Sequence, residues 1–350
     1  MSSSHSGRRP RLLPVLSVLT MLGLSACGAA SGASGSDVGI GYFQSATIGS
    51  EVLVAGNSDL SDKVGADIKL TPIDSGVAGL AELRGGAFPF VSGVGNPPVV
   101  GAIAQDTPLK VVYAEYFDAA QLIVPSSVTA NQQLAGKTVG DLQGSSEDFE
   151  IRGWLEKQGL SDQVKVVGFP SEAAVAAAYK AHRIDAAYVE IAQALDLVQH
   201  AGGRSVVTAE QIARLGYPSL NVLAVTESYA AKNPDRVQAL VCQVMRAQSL
   251  MSTPKADQYI GNGAHLVGAT PDEAVAATKV IPWVKASDEL SWFTGPSGDV
   301  ADGKIAKAYA LTAQFLVDQG RVSTVPTAAQ IADHLDASYV KQALKDGCDQ

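Results

Sequence analysis

Three short runs in this chain combine a strand end, a turn and a helix start: Ser75-Gly76, Asn96-Pro97-Pro98 and Ser145-Ser146. A helix start leaves backbone N–H groups unpaired and carries partial positive charge, so it suits an anion. Alone, each run is an ordinary helix cap. Three of them at equivalent strand ends point to a ligand cleft. Catalysis has no comparable footing. His182, His200, His265 and His334 are scattered, no nucleophile is matched with a base, and no Cys/His group has zinc-ligand spacing. No catalytic residue, metal or cofactor is expected.

The chain has 350 residues, a formal charge of −9 and no Lys/Arg stripe, which argues against nucleic acid as a partner. Its first 26 residues read as an export signal. Arg8, Arg9 and Arg11 precede the short apolar run Leu12 to Leu24, which is too short to span a bilayer. The segment Leu24-Ser25-Ala26-Cys27 resembles the bacterial lipoprotein cleavage box, with Cys27 as the lipidated first residue of the mature protein. Residues 28–36 (GAASGASGS) then form a flexible tether. Cleavage removes three Arg and no acid, so the mature chain carries −12. Cys242 and Cys348 remain, and an even pair in an oxidising compartment predicts a disulfide.

The elements that must position the helix starts alternate as strand and helix. Strands are predicted at 38–42, 68–73, 88–92 and 109–113, with helices between them. A second set follows: strands at 122–124, 137–140, 164–169 and 186–189, and a strand at 220–225 that leads back out. The remainder is helical, with capping signals at Asn233-Pro234-Asp235 and Thr270-Pro271-Asp272-Glu273. This order predicts an α/β protein of two lobes, with parallel sheets covered on both faces. Residues 37–118 and 227–350 would form the first lobe and 119–226 the second. Closure by a hinge would use crossings near 116–121 and 217–226.

With these features in view, the chain resembles the substrate-binding proteins of ABC importers that handle taurine, aliphatic sulfonates and nitrate. The phrases that carry the likeness are Asp74-Ser75-Gly76, Gly95-Asn96-Pro97-Pro98, LAGKTV (134–139), RIDAAYV (183–189), LGYPSLNVLAV (215–225), Thr294-Gly295-Pro296 and AQFLVDQGRV (313–322). The resemblance implies a two-lobed type II periplasmic-binding fold with two crossing strands. It further implies a non-catalytic, monomeric receptor, lipid-anchored outside the cytoplasmic membrane. Such a receptor captures a small solute and delivers it to a membrane permease driven by a separate ATPase.

The resemblance also implies site residues. Phe43, Gln44 and Ser45 match the family's first loop, while Ser75, Asn96, Ser145 and Ser146 match its anion-binding turns. Four positions depart from the taurine-handling pattern. Glu147 replaces an uncharged hydroxyl residue, Glu190 a tryptophan, Asn221 an acid and Asp118 an asparagine. A sulfonate about 4 Å from an unpaired carboxylate is repelled by roughly 4 kcal/mol at intermediate dielectric. Aromatics near the same ends, Phe117 and Tyr217 among them, suit an amine through cation–π contact. Two solute classes thus stay open: taurine or a related small sulfonate, and a cationic or zwitterionic amine.

Overall fold

Apolar runs such as FVSGV (90–94) and VLAV (222–225) are suited to strands buried on both faces. The computed structural model describes residues 37–45 and 47–350, so the export signal, Cys27 and the tether lie outside the described residues. Ten strands are assigned among them: β1 (Val38–Phe43), β2 (Ile68–Ile73), β3 (Phe90–Val94), β4 (Leu109–Phe117), β5 (Gln121–Pro125), β6 (Thr138–Leu142), β7 (Lys165–Phe169), β8 (Ala186–Val189), β9 (Gly203–Thr208) and β10 (Leu220–Thr226). They make two five-stranded sheets, in the orders β2-β1-β3-β10-β4 and β7-β6-β8-β5-β9. The result is the expected two-lobed α/β fold.

The expected all-parallel sheets need a correction. β1 is parallel to β2 and β3, and β6 is parallel to β7 and β8. However, β10 runs antiparallel to β3 and β4, and β5 antiparallel to β8 and β9. A chain that leaves one sheet for the other and returns must enter against the prevailing direction. For the same reason the second lobe ends earlier than expected. β10 belongs to the first sheet, so residues 220–226 join the first lobe. Strand β9 completes the second sheet and the helix Ile191–His200 leads to it, where the sequence had suggested neither.

Each sheet is packed on both faces. Phe90, Val91, Val222 and Leu223 are fully buried in the first lobe, while Leu122, Tyr188 and Ile123 are fully buried in the second. Asn96 ties the lobes at the return crossing. Its Nδ2 donates to the Pro218 carbonyl at 2.9 Å and its Oδ1 accepts the Leu220 N–H at 3.2 Å. A second tie is electrostatic: Asp148 of the second lobe pairs with Arg321, which follows the helix Lys304–Asp318 of the first. No helix among the described residues is long and apolar enough to cross a membrane.

Cys242, on the helix Pro234–Leu250, stands in bonding contact with Cys348 near the C-terminus, 106 residues on. Closing a loop of that length contributes about 4–5 kcal/mol on the chain-entropy account. Replacing both cysteines by alanine is therefore expected to lower unfolding stability by about that much in a denaturant melt. An unchanged midpoint, with two titratable thiols in the native wild-type chain, would mean the bond does not form.

Candidate functional site

Parallel strands that end together bring the loops after them together. The carboxyl ends of β1, β2 and β3 deliver Gln44 and Ser45, Asp74 and Gly76, and Gly95 to one wall of a cavity of about 240 Å³. The ends of β6, β7 and β8 deliver the opposite wall. After each of these three strands the next helix opens with a glutamate: Glu147 on Ser146–Lys157, Glu172 on Glu172–Lys180, and Glu190 as the residue capping Ile191–His200. Asp118, at the outgoing crossing, joins them in the cavity.

The local fold fixes each carboxylate. Ser145 Oγ caps its helix by accepting the Glu147 and Asp148 N–H groups at 3.1 and 3.5 Å. Glu147 is then 4% exposed and faces the cavity. Its neighbour Asp148 turns the other way, with Oδ1 accepting from Arg152 Nε at 2.5 Å and Oδ2 meeting Arg321. Asp118 Oδ1 accepts the Ala120 N–H at 3.0 Å. The Glu190 N–H donates to Glu172 Oε2 at 3.0 Å. Carboxylate oxygens of Asp118, Glu147 and Glu190 lie within 4.8 Å of one another.

The first lobe adds a buried polar pair beneath its wall. Glu51 lines the cavity, and Ser92 Oγ lies 2.6 Å from Glu51 Oε2 and 2.8 Å from Glu115 Oε1. A hydroxyl has one proton, so one of those carboxyl groups must supply the other. Ser50 Oγ and the Gly93 N–H both donate to Glu115, which leaves Glu51 as the protonated partner. Burial and the Glu115 charge push Glu51 up to about 8.

Six acidic residues thus line the cavity: Glu51, Asp74, Asp118, Glu147, Glu172 and Glu190. No described residue lining it is Lys, Arg or His. Burial, followed by the charge of Asp118, raises Glu147 and Glu190 well above the usual carboxylate range. Burial likewise raises Glu172 to about 7. Asp148 shows the reverse. Burial opposes its ionisation, but Arg321 and Arg152 outweigh that and hold it below its ordinary value.

Of the residues expected from the sequence, Gln44, Asp118, Ser145, Ser146, Glu147, Glu190 and Asn221 line the cavity. Four lie off it. Ser75 Oγ is spent on its own helix cap, accepting the Ala78 N–H. Asn96 is consumed by the crossing. Phe117 packs edge-on against Trp292. Tyr217 packs against Phe149 and donates to Glu156 Oε2 at 2.8 Å. Tyr116, one of the aromatics expected near the cleft, also lines it, whereas the sequence reading passed over Glu51, Glu172 and Gln193. For Glu172 a signal existed: like Glu147 and Glu190, it falls at the start of the helix that follows its strand. Gly95 marks how near the lobes come, because a Cβ there would overlap Ser146 Oγ.

A cleft built from loops at the strand ends of two lobes is the arrangement of the periplasmic-binding fold. The chain belongs to the NMT1-like family, whose profile matches residues 31–262. It is 26% identical to the taurine-binding periplasmic protein of Escherichia coli K12 over 291 residues, covering 81% of this chain and 87% of that protein. Two solved structures share the fold. One is the alkanesulfonate-binding protein SsuA of Xanthomonas axonopodis pv. citri bound to MOPS, with TM-score 0.65 and 20% identity, covering 87% of this chain and 99% of that one. The other is the periplasmic nitrate-binding protein NrtA of Synechocystis PCC 6803, with TM-score 0.70 and 12% identity, covering 89% of each.

The raised carboxyl groups set a pH dependence. A group whose folded pKa exceeds its unfolded value stabilises fully at low pH and loses that contribution as pH rises through the folded value. The ligand-free protein should therefore lose stability from about pH 5 toward 8, the span set by Glu172 at about 7 and Glu51 at about 8. Glu190→Gln is expected to stabilise the ligand-free protein by about 1–2 kcal/mol at pH 7.5 and little at pH 5. Thermal melts at both pH values check this, and equal shifts at both would contradict it.

Proposed function

We propose that this protein is the extracytoplasmic solute receptor of an ABC importer, and that its solute carries an ammonium group. The observation that carries the reading is the cavity wall, which has six acidic side chains and no described Lys, Arg or His. A carboxylate buried beside others either keeps a proton or finds a cation. An ammonium held among Asp118, Glu147 and Glu190 satisfies that requirement. Phe43 and Tyr116 in the same lining add aromatic faces to it.

The likeness to the taurine-binding protein favours a second reading within the first. Taurine is a zwitterion, so its ammonium would face the acidic wall. Its sulfonate would turn to the first lobe, where Gln44, Ser45 and the helix start at Gly76 offer donors. A sulfonate without an amine has no such division. Receptor function further implies export, lipid attachment at Cys27, action as a monomer, and a permease with its ATPase as partners. Export would also place Cys242 and Cys348 where a disulfide persists. Lobe closure would bury the solute and present the closed form to the permease. The reading needs no catalysis.

Three two-carbon solutes separate the charge classes: ethanolamine, taurine and isethionate. In thermal melts at pH 7.5, ethanolamine and taurine are expected to raise the melting temperature by a few degrees at concentrations near 100 times Kd. Isethionate should leave it unchanged. Stabilisation by isethionate equal to that by taurine would overturn the ammonium reading, and no response to any of the three would remove small amines from consideration.

A further inference from the structure

Two buried oxygen atoms on the acidic wall lack a fixed donor from the fold. Glu172 uses Oε2 to accept the Glu190 N–H, and its Oε1 is buried with no amide, hydroxyl or cationic donor; the one protein proton that reaches this carboxylate is that of the raised Glu147 carboxyl, which an ammonium would displace. Gln193, in the first turn of the helix Ile191–His200, holds a buried Oε1 that meets no donor. Both residues line the cavity, from the helices that follow β7 and β8. Buried polar atoms without a partner call for an explanation, and at these two the cavity offers one: a donor brought by the solute.

Charge alone does not distinguish the cations that could come here. A quaternary ammonium carries the same positive charge as a primary one, and Phe43 and Tyr116 would receive either. The two differ in donors: a primary ammonium presents three N–H groups, a quaternary one presents only methyls. Methyls against Glu172 Oε1 and Gln193 Oε1 would leave both acceptors desolvated and unpaired, whereas N–H groups would pair them.

We infer that the cleft takes a primary ammonium and rejects its quaternary counterpart, with Glu172 and Gln193 as the residues that read the N–H groups. The inference rests on the ammonium reading above and narrows it. Glu172 is fixed for the task, since the Glu190 N–H holds one of its oxygens and aligns the other. Gln193 follows Glu190 by three residues and so shares its side of the helix start.

Ethanolamine and choline differ only in the three N-methyl groups, and calorimetric titration of the full mature chain compares them directly. Ethanolamine is expected to bind at least about tenfold more tightly. Gln193→Leu should weaken ethanolamine about tenfold and leave choline unchanged. Glu172→Gln, which still accepts the Glu190 N–H, should weaken ethanolamine by more than tenfold. Choline binding as tightly as ethanolamine would overturn the inference and leave the ammonium reading standing. Equal losses for both ligands in the variants would show a merely structural role and also overturn it. Binding of neither would remove the ammonium reading and this inference together.

Discussion

The site turns on repulsion among like charges placed at helix starts. A helix N-terminus offers N–H groups and partial positive charge, which is why families of this fold can hold anions there. In the second lobe of this protein the chain fills all three such positions with its own carboxylates, Glu147, Glu172 and Glu190. The helix ends stabilise these charges singly. Crowding them with Asp118 in one cavity undoes part of that gain, and the weakened acidities of Glu147 and Glu190 register the conflict. Protons resolve it in the empty cleft, and a cation can resolve it in the filled one.

The frame keeps cations out of this arrangement while using them nearby. Arg152 and Arg321 both engage Asp148, one residue along from Glu147 but on the far side of the helix. That pairing neutralises the buried Asp148 and links the lobes, and it leaves Glu147 without a guanidinium. Asn96 and Asn221 lie on opposite sides of the same division of labour. Asn96 is spent on the return crossing, whereas Asn221 on β10 faces the cavity. The first lobe contributes mostly uncharged donors and the protonated Glu51, so the two walls differ in character.

Much of this was legible in the sequence, because it depends on local pattern. Strand and helix alternation, the helix start at Ser145, and the departures at Glu147 and Glu190 all lie in short stretches of chain. What was not legible depends on partners remote in sequence. Nothing in LNVLAVT says that β10 joins the first sheet, since its neighbours β3 and β4 lie more than 100 residues away. Asn96 and Ser75 have the residue types of ligand contacts, but the Pro218 and Leu220 backbone claims one and the helix cap the other. Glu172 reads locally as the first residue of a helix; only the parallel placing of β6, β7 and β8 turns it into the cavity.

The central claim is that a cation takes the place of protons held among buried carboxylates. Binding heats of ethanolamine at pH 6.5, measured in two buffers of different ionisation enthalpy, count the protons exchanged. Ethanolamine is already charged at that pH, so any proton released must come from the protein. The account predicts release of about one proton per ligand bound. Binding with no proton exchange, or with proton uptake, would contradict it.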